Sequence, residues 1–366
     1  MLSTEEVRRL RDGCSRFLVG HGPIRARDLL EGIPPDTEVD QYGVGGAVAE
    51  LETEVADLLG KPEALFLPSG TMAQQITLRV HADGRHRRTV LYHPACHLEH
   101  HEGRALQRLQ GLTGRPVGHT NHLLRLADLT AVAELPAALL LELPQRDLGG
   151  EQPVWDDLQA QLAWARDRDV ATHLDGARLW ESAAGYGRTS AQVAAGFTSV
   201  YVSFYKGIGA LPGCCIAGEP QLVAEVREWR QRMGGTLFGM WPNAASALTL
   251  LRQRLPAMPR YLGHARAIAA ALRDKPGVRV LPDPPQTPMM HLLLAVPQVT
   301  LDANVRWLAE TRDLWTFRDI QATADPQVQR VELSVGEATC ELSAEEAADA
   351  ICVLLSSAAN TPTPEP

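Results

Sequence analysis

The stretch "SVYVSFYKGIGALPG", residues 199–213, sets Lys206 between an apolar, β-branched and aromatic run and a glycine-rich turn. A lysine resists full burial, because its ammonium loses hydration and gains little unless it is paired. Two readings stand: a strand-end lysine pointing into solvent, or a reactive amine placed at a strand end. The stretch is one of a series. Short apolar runs recur at 63–68 (EALFLP), 89–93 (TVLYH), 138–144 (ALLLELP), 170–175 (VATHLD), 199–205 and 214–218 (CCIAG), separated by helix-like segments such as "AVAELETEVADLLG" and "VWDDLQAQLAWARDRD". Strands that are apolar throughout and joined by helices predict an α/β domain, its mainly parallel sheet covered on both faces.

After residue 219 the texture changes. Helical patterns near 220–232, 243–255 and 258–274 lead into "VRVLPD", "HLLLAVP", a helix near 301–313, "QRVELSV" and a last helix near 343–357. The expected organisation is a helical N-terminal segment (1–35), a large α/β domain (36–250), a smaller C-terminal α+β domain (251–357) and a disordered polar tail (358–366).

Composition narrows the function classes. With 35 Lys and Arg against 44 Asp and Glu and a net charge of −9, the chain offers no basic stripe for nucleic acid. The longest apolar runs, such as 132–144, are charged and shorter than the roughly 20 residues a membrane helix needs. The N-terminal "MLSTEEVRRLRDGC" has the charge of an amphipathic helix and lacks the apolar centre of a signal peptide, so a cytoplasmic protein is expected. Six cysteines are scattered, Cys214 and Cys215 too close for an ordinary bridge, and all read as reduced thiols.

In α/β sheets ligands gather at the carboxyl ends of strands. After "EALFLP", Ser69, Gly70 and Thr71 open a helix, where free amides, small hydroxyls and a glycine form a phosphate cradle, unless Ser69 is simply an N-cap. After "VATHL" comes Asp175, an acid that needs a cationic or hydrogen-bonded partner if buried. After the next strand comes Lys206. Cradle, acid and amine in this order suit pyridoxal 5'-phosphate, which presents a phosphate, a ring nitrogen that works best protonated, and an aldehyde.

The segments "DQYGVGGAVAELETEVADLLGKPEALFLPSGTMAQ", "CHLEHHEGRA", "ELPQRDLGG", "THLDGARLWESAAGYG", "SFYKGIGALPGCCIAG" and "REWRQRMGG" together resemble the threonine aldolase family of fold-type I pyridoxal-phosphate enzymes, within the β-eliminating lyase group. The resemblance implies that Lys206 is the Schiff-base lysine, that Asp175 pairs with the pyridine nitrogen, and that Arg178 contacts the phenolic oxygen. Gly70 and Thr71 would hold the phosphate, and His97 would stack on the ring face. A metal site among His93, His97, His100 and His101 is the weaker alternative, and no metal is expected. Arg330 matches the family's C-terminal-domain arginine and is the candidate for the substrate carboxylate, against the reading of an exposed strand arginine. The segment around Tyr42 resembles the one that reaches toward a neighbouring site, which implies a homodimer or homotetramer.

The departures bear on the substrate. An "RSDT"-like opening segment is missing. Where the family has "ENTHN", this chain has "ELPQR", which brings Gln145 and Arg146 into the substrate shell. The arginine of "GGGMRQ" is replaced by Phe238, a residue for an apolar pocket or for core packing, and the serine before the lysine is Tyr205. The expected activity is cleavage of the Cα–Cβ bond of L-threonine or a bulkier β-hydroxy-α-amino acid, with His97 as the best proton acceptor. A β-eliminating lyase, racemase or aminotransferase on the same scaffold, and a non-catalytic binding protein, are the alternatives.

Overall fold

The structure is a computed structural model that describes residues 2–23, 25–317 and 320–356, so the expected disordered tail lies outside the described residues. The chain forms two compact units.

The larger unit comprises residues 26–147 and 152–256. Its sheet has seven strands: β1 (Glu63–Leu67), β2 (Thr89–Tyr92), β3 (Thr113–Pro116), β4 (Ala138–Glu142), β5 (Ala171–Gly176), β6 (Ser199–Ser203) and β7 (Cys214–Gly218). They lie in the order β1-β7-β6-β5-β4-β2-β3. β2 to β6 form the parallel body of the sheet together with β3, and β7 runs antiparallel to both β1 and β6. Every residue of β5, β6 and β7 is buried, as strands covered on both faces require. β3, "TGRP", was not expected from the sequence. It is an edge strand, half exposed, and its glycine and proline remove the apolar signal that marks the others.

Helices α1 (Gly46–Leu59), α2 (Gly70–Arg85), α3 (Trp155–Arg166), α4 (Leu179–Tyr186), α5 (Pro220–Arg232) and α6 (Trp241–Arg254) belong to this unit. In α1, Val48, Leu51, Val55 and Leu59 recur at three- and four-residue spacing and are all buried. α2 and α5 pack Ala73, Ile76, Val80, Val223 and Val226 against Leu65, Leu67, Tyr201 and Ile216 of the sheet. Each such aliphatic side chain contributes roughly 1.5–3 kcal/mol on burial.

A polar chain lies inside this apolar layer. His81 Nε2 and His173 Nδ1 each stand 2.7 Å from Ser199 Oγ, and His173 Nε2 stands 2.6 Å from Gln74 Oε1. All four side chains are buried. Burial drives both imidazoles below their ordinary pKa, His81 to about 3, so both are neutral. Gln74 Oε1 accepts the Nε2 proton of His173, whose Nδ1 then accepts the Ser199 hydroxyl proton, while Ser199 Oγ accepts from His81. The chain joins α2, β5 and β6, the elements that lead to the cradle, Asp175 and Lys206.

The smaller unit gathers residues up to 25, 148–151 and those from 257 on. The stretch 1–35 is thus divided between the two units. A four-stranded antiparallel sheet of β8 (Val278–Leu281), β9 (Met289–Leu294), β10 (Ile320–Ala322) and β11 (Gln329–Ser334), in the order β10-β11-β9-β8, is accompanied by α7 (Met258–Leu272), α8 (Gln298–Arg312) and α9 (Ala344–Leu354). Burial alternates between buried and half-buried residues along β11, whereas the central β9 is buried at every position but Leu293. Arg16 and Phe17 pair in parallel with Leu314 and Trp315.

All six cysteines are free thiols. Among the described residues no helix is long and apolar enough to cross a membrane.

Candidate active site

The parallel register brings three polar residues into one row: Glu142 on β4 pairs with Asp175 on β5, and Asp175 with Tyr201 on β6. Asp175 is buried, and its Oδ1 accepts the Ala177 N–H at 3.1 Å. Burial pushes its carboxyl above the ordinary value, while that amide and the charges of His97, Lys206 and Arg178 pull it down. His97, Arg178 and Lys206 are therefore each within electrostatic reach of Asp175, and His97 of Lys206.

Lys206 follows β6 in a tight turn, its Nζ 5.1 Å from the centroid of the Tyr205 ring. At the first turn of α2, Ser69 Oγ accepts the Met72 N–H at 3.5 Å, so Ser69 is the N-cap. The amides of Gly70 and Thr71, in that turn, have no intrahelical acceptor. Only glycine fits at 70, because a Cβ there would collide with the Tyr201 phenol oxygen and stand 3.4 Å from that of Tyr205. This bare turn, flanked by hydroxyls and carrying the positive end of the helix dipole, is suited to an anion.

His97 Nδ1 lies 3.0 Å from Oε1 of Glu102, whose side chain is almost wholly buried. The hydrogen bond to Glu102 raises the imidazole pKa. Burial raises that of Glu102, and its second oxygen, Oε2, has no hydrogen-bond partner. His93 is held differently. Its Nδ1 accepts the Ala95 N–H, so Nε2 carries the proton and donates to the carbonyls of His119 and His122 at 3.0 Å each. His100 donates to Pro94 O at 2.9 Å.

Glu142 was not among the expected site residues, although it ends an apolar strand just as Asp175 does. Its Oε1 accepts the Arg146 backbone N–H at 3.0 Å, and its Oε2 accepts Gln145 Nε2 at 3.1 Å. Burial, then the neighbouring Asp175, pushes its carboxyl well up, to about 8, so the two facing acids disfavour being ionised together. Gln145 is buried and also donates to Ala95 O at 3.3 Å, whereas the Arg146 side chain pairs with Asp147 at 3.6 Å. Glu181, also missed, is pushed to about 7 by burial against the pull of Arg178, and its Oε1 occupies the space where Gly207 would carry a side chain. Neither Glu142 nor Glu181 carries a motif of its own; only the fold shows them beside Asp175 and Lys206.

Two further expected residues, Tyr42 and Arg330, have neighbours of their own. Tyr42, at φ 55°, donates its N–H to Phe238 O at 2.9 Å, and the two rings meet edge to face at 5.4 Å. Phe238 is 68% exposed, which rules out core packing. Arg330 lies on β11 of the smaller unit, its Nε donating to Gln321 Oε1 at 2.9 Å.

Residues 34–295, about the span of the larger unit and its continuation, match the family of beta-eliminating lyases. The chain belongs to the beta-eliminating lyase family. It is a lyase, and its cofactor is pyridoxal phosphate. Two solved structures are similar over 95% of this chain at 34% identity. One is from Listeria monocytogenes EGD-E, assigned as an L-allo-threonine aldolase, with a TM-score of 0.90 and 98% of that chain covered. The other is from Exiguobacterium sp. 255-15, assigned as an aromatic amino acid beta-eliminating lyase/threonine aldolase, with a TM-score of 0.89 and 99% covered. The low-specificity L-threonine aldolase 1 of Arabidopsis thaliana is 27% identical over 70% of this chain and 75% of its own length. The parallel sheet with its antiparallel β7 and the smaller antiparallel unit are the fold-type I architecture of these lyases.

Proposed function

We propose that this lyase cleaves the Cα–Cβ bond of a β-hydroxy-α-amino acid, L-threonine or a bulkier relative, to glycine and an aldehyde. The observation that carries the reading is the His97–Glu102 pair within electrostatic reach of both Asp175 and Lys206, a proton acceptor beside the strand-end acid and amine. The relatives named as threonine aldolases support it.

The residues fit the cofactor. A glycine-only turn would take its phosphate through Ser69, Gly70 and Thr71, and Asp175, a carboxylate that burial disfavours, would be relieved by a protonated ring nitrogen. Arg178 would meet the phenolic oxygen, His97 the ring face, and Lys206 would hold the aldehyde carbon. When bound, the group supplies an electron sink for the pair released at the substrate Cα.

The chain's own groups do the rest. Nδ1–H of His97 is committed to Glu102, which leaves Nε2 with the lone pair that accepts the β-hydroxyl proton as the Cα–Cβ bond breaks and the aldehyde carbonyl forms. Gln145 cannot take that proton at neutral pH. Its amide, fixed between Glu142 and Ala95, borders the substrate. The bond that breaks is chosen by orientation, which requires a fixed substrate carboxylate; Arg330 is the bidentate candidate, and Arg146 the second cation of the shell. Assembly completes the reading: Val39, Tyr42, Val44, Leu237 and Phe238 are exposed apolar residues, which a second copy would cover in a homodimer or homotetramer.

Incubation with threonine, allo-threonine, phenylserine, serine and cysteine separates the outcomes. Glycine with an aldehyde supports the proposal, and ammonia with a keto acid supports elimination, the second reading, which the Exiguobacterium relative's assignment names beside threonine aldolase. Borohydride treatment should fix the cofactor in the peptide containing Lys206; label on another lysine would overturn that assignment.

A further inference from the structure

We propose that Tyr205 is a ligand for the phosphate of the cofactor, with Tyr201 as its fixed backing. The inference rests on the cradle reading of Ser69, Gly70 and Thr71 and goes beyond it, because it assigns the residue that stands where the resembling family carries a serine.

Tyr201 is buried in β6, beside Asp175 in the ladder, and its phenol oxygen lies against Gly70 closely enough to exclude a Cβ. Tyr205, two residues beyond the end of β6, brings its own phenol oxygen to 3.4 Å from the same point. Two hydroxyls thus converge on the first turn of a 16-residue helix. Tyr205 is 37% exposed, yet its hydroxyl lies over this turn and its ring beside Lys206 Nζ. A tyrosine that merely lined the surface would turn its hydroxyl to water.

The chemistry at this point favours a dianionic phosphate monoester. Burial raises the pKa of both phenols, so both are neutral, and Tyr201 hydrogen-bonds to Tyr205, which leaves the Tyr205 O–H as the donor for an anion. The amides of Gly70 and Thr71 add two donors in a second direction. No carboxylate is needed to complete the set. A phenol reaches farther from its backbone than a serine hydroxyl, so the substitution at 205 moves the donor outward from β6 toward the helix turn.

The test uses the full chain as Lys206→Ala, stripped of cofactor, so that affinity reports contacts and not the covalent link. Pyridoxal phosphate and pyridoxal, which lacks the phosphate, are titrated separately by tryptophan fluorescence into Lys206→Ala and Lys206→Ala/Tyr205→Phe, with melting temperature confirming that both are folded. Removing the hydroxyl should weaken pyridoxal phosphate by about tenfold or more, the range for a hydrogen bond to a charged group, and leave pyridoxal unchanged. Unchanged affinity for pyridoxal phosphate, or an equal loss for both ligands, would overturn the assignment. If Lys206→Ala itself does not prefer pyridoxal phosphate to pyridoxal, the cradle reading fails and this inference falls with it.

Discussion

His97 and Glu102 are five positions apart, separated by the single helical turn His97–His100, and their side chains pair at 3.0 Å. The pair has a testable pH signature. The imidazole pKa is raised chiefly by its hydrogen bond to Glu102, and the proton-accepting form predominates only above that pKa. The acid limb of kcat/KM should therefore lie above the ordinary histidine value of about 6.5, and Glu102→Gln should move it to lower pH. His97→Ala should lower kcat by roughly 10²- to 10⁴-fold, the range for a positioned proton acceptor. An acid limb that Glu102→Gln leaves in place would show that another group titrates. At this scale the sequence was readable where chemistry coincided with a strand end, as at Asp175 and Lys206. Tyr201 was not readable, because inside an all-apolar strand an aromatic residue reads as core and only the register shows it next to Asp175.

Buried acids gather near the strand ends, Glu142 closing β4 and Glu181 in the first turn of α4, and this has a consequence for stability. Glu142 and Glu181 have folded-state pKa values of about 8 and about 7, above the unfolded value of 4.5. Between the unfolded and folded values the native state binds more protons than the unfolded state, so stability from these groups is complete below about pH 4.5 and is lost as pH rises through 7 to 8. The melting temperature should fall over that range, and Glu142→Gln or Glu181→Gln should each flatten the decline; a slope unchanged in both would mean that other groups cause it. Beneath them, Ser199→Ala would strip His81 and His173 of a shared partner inside the sheet. Urea unfolding should show a loss of about 1–3 kcal/mol, the cost of leaving buried polar groups unsatisfied. The parallel strands were legible because burial on both faces demands continuous apolar runs. The two edge strands β3 and β10 were not, since half-exposed residues of mixed polarity carry no such signature. The polar chain through Ser199 was equally hidden: its members come from three elements, and no spacing links Gln74 and His81 to His173 and Ser199.

For the molecule as a whole, the exposed pair Tyr42–Phe238 sets the prediction. A substitution at an exposed site normally changes stability by no more than about 0.5 kcal/mol, so Phe238→Arg should leave the melting temperature of the protomer close to the parent value. If the pair lies in a subunit interface, light scattering should show a shift from dimer or tetramer toward monomer, together with a changed ratio of kcat/KM for phenylserine over threonine. A parent protein that is fully active with the mass of one chain would refute the assembly. The division into units was only partly visible. The change in texture after residue 219 marked a second body of α+β character, but the association of residues up to 25 with it depends on contacts across nearly the whole chain, among them the pairing of Arg16 and Phe17 with Leu314 and Trp315, the Gly20–Val335 bridge and the Arg306–Glu6 ion pair, which no local pattern announces.

That pairing also dictates an order of events during translation. Phe17 and Leu18 are buried in the finished protein, and the strand that Phe17 joins, Leu314–Trp315, is made about 300 residues later. At roughly 5–20 residues per second the wait is on the order of 15–60 seconds. Over that interval the larger unit has all its strands and can close, while the apolar hook of Phe17 and Leu18 lacks the strand it docks on. The hook is a natural site for chaperone engagement, and a chain truncated near residue 256 would carry it permanently exposed.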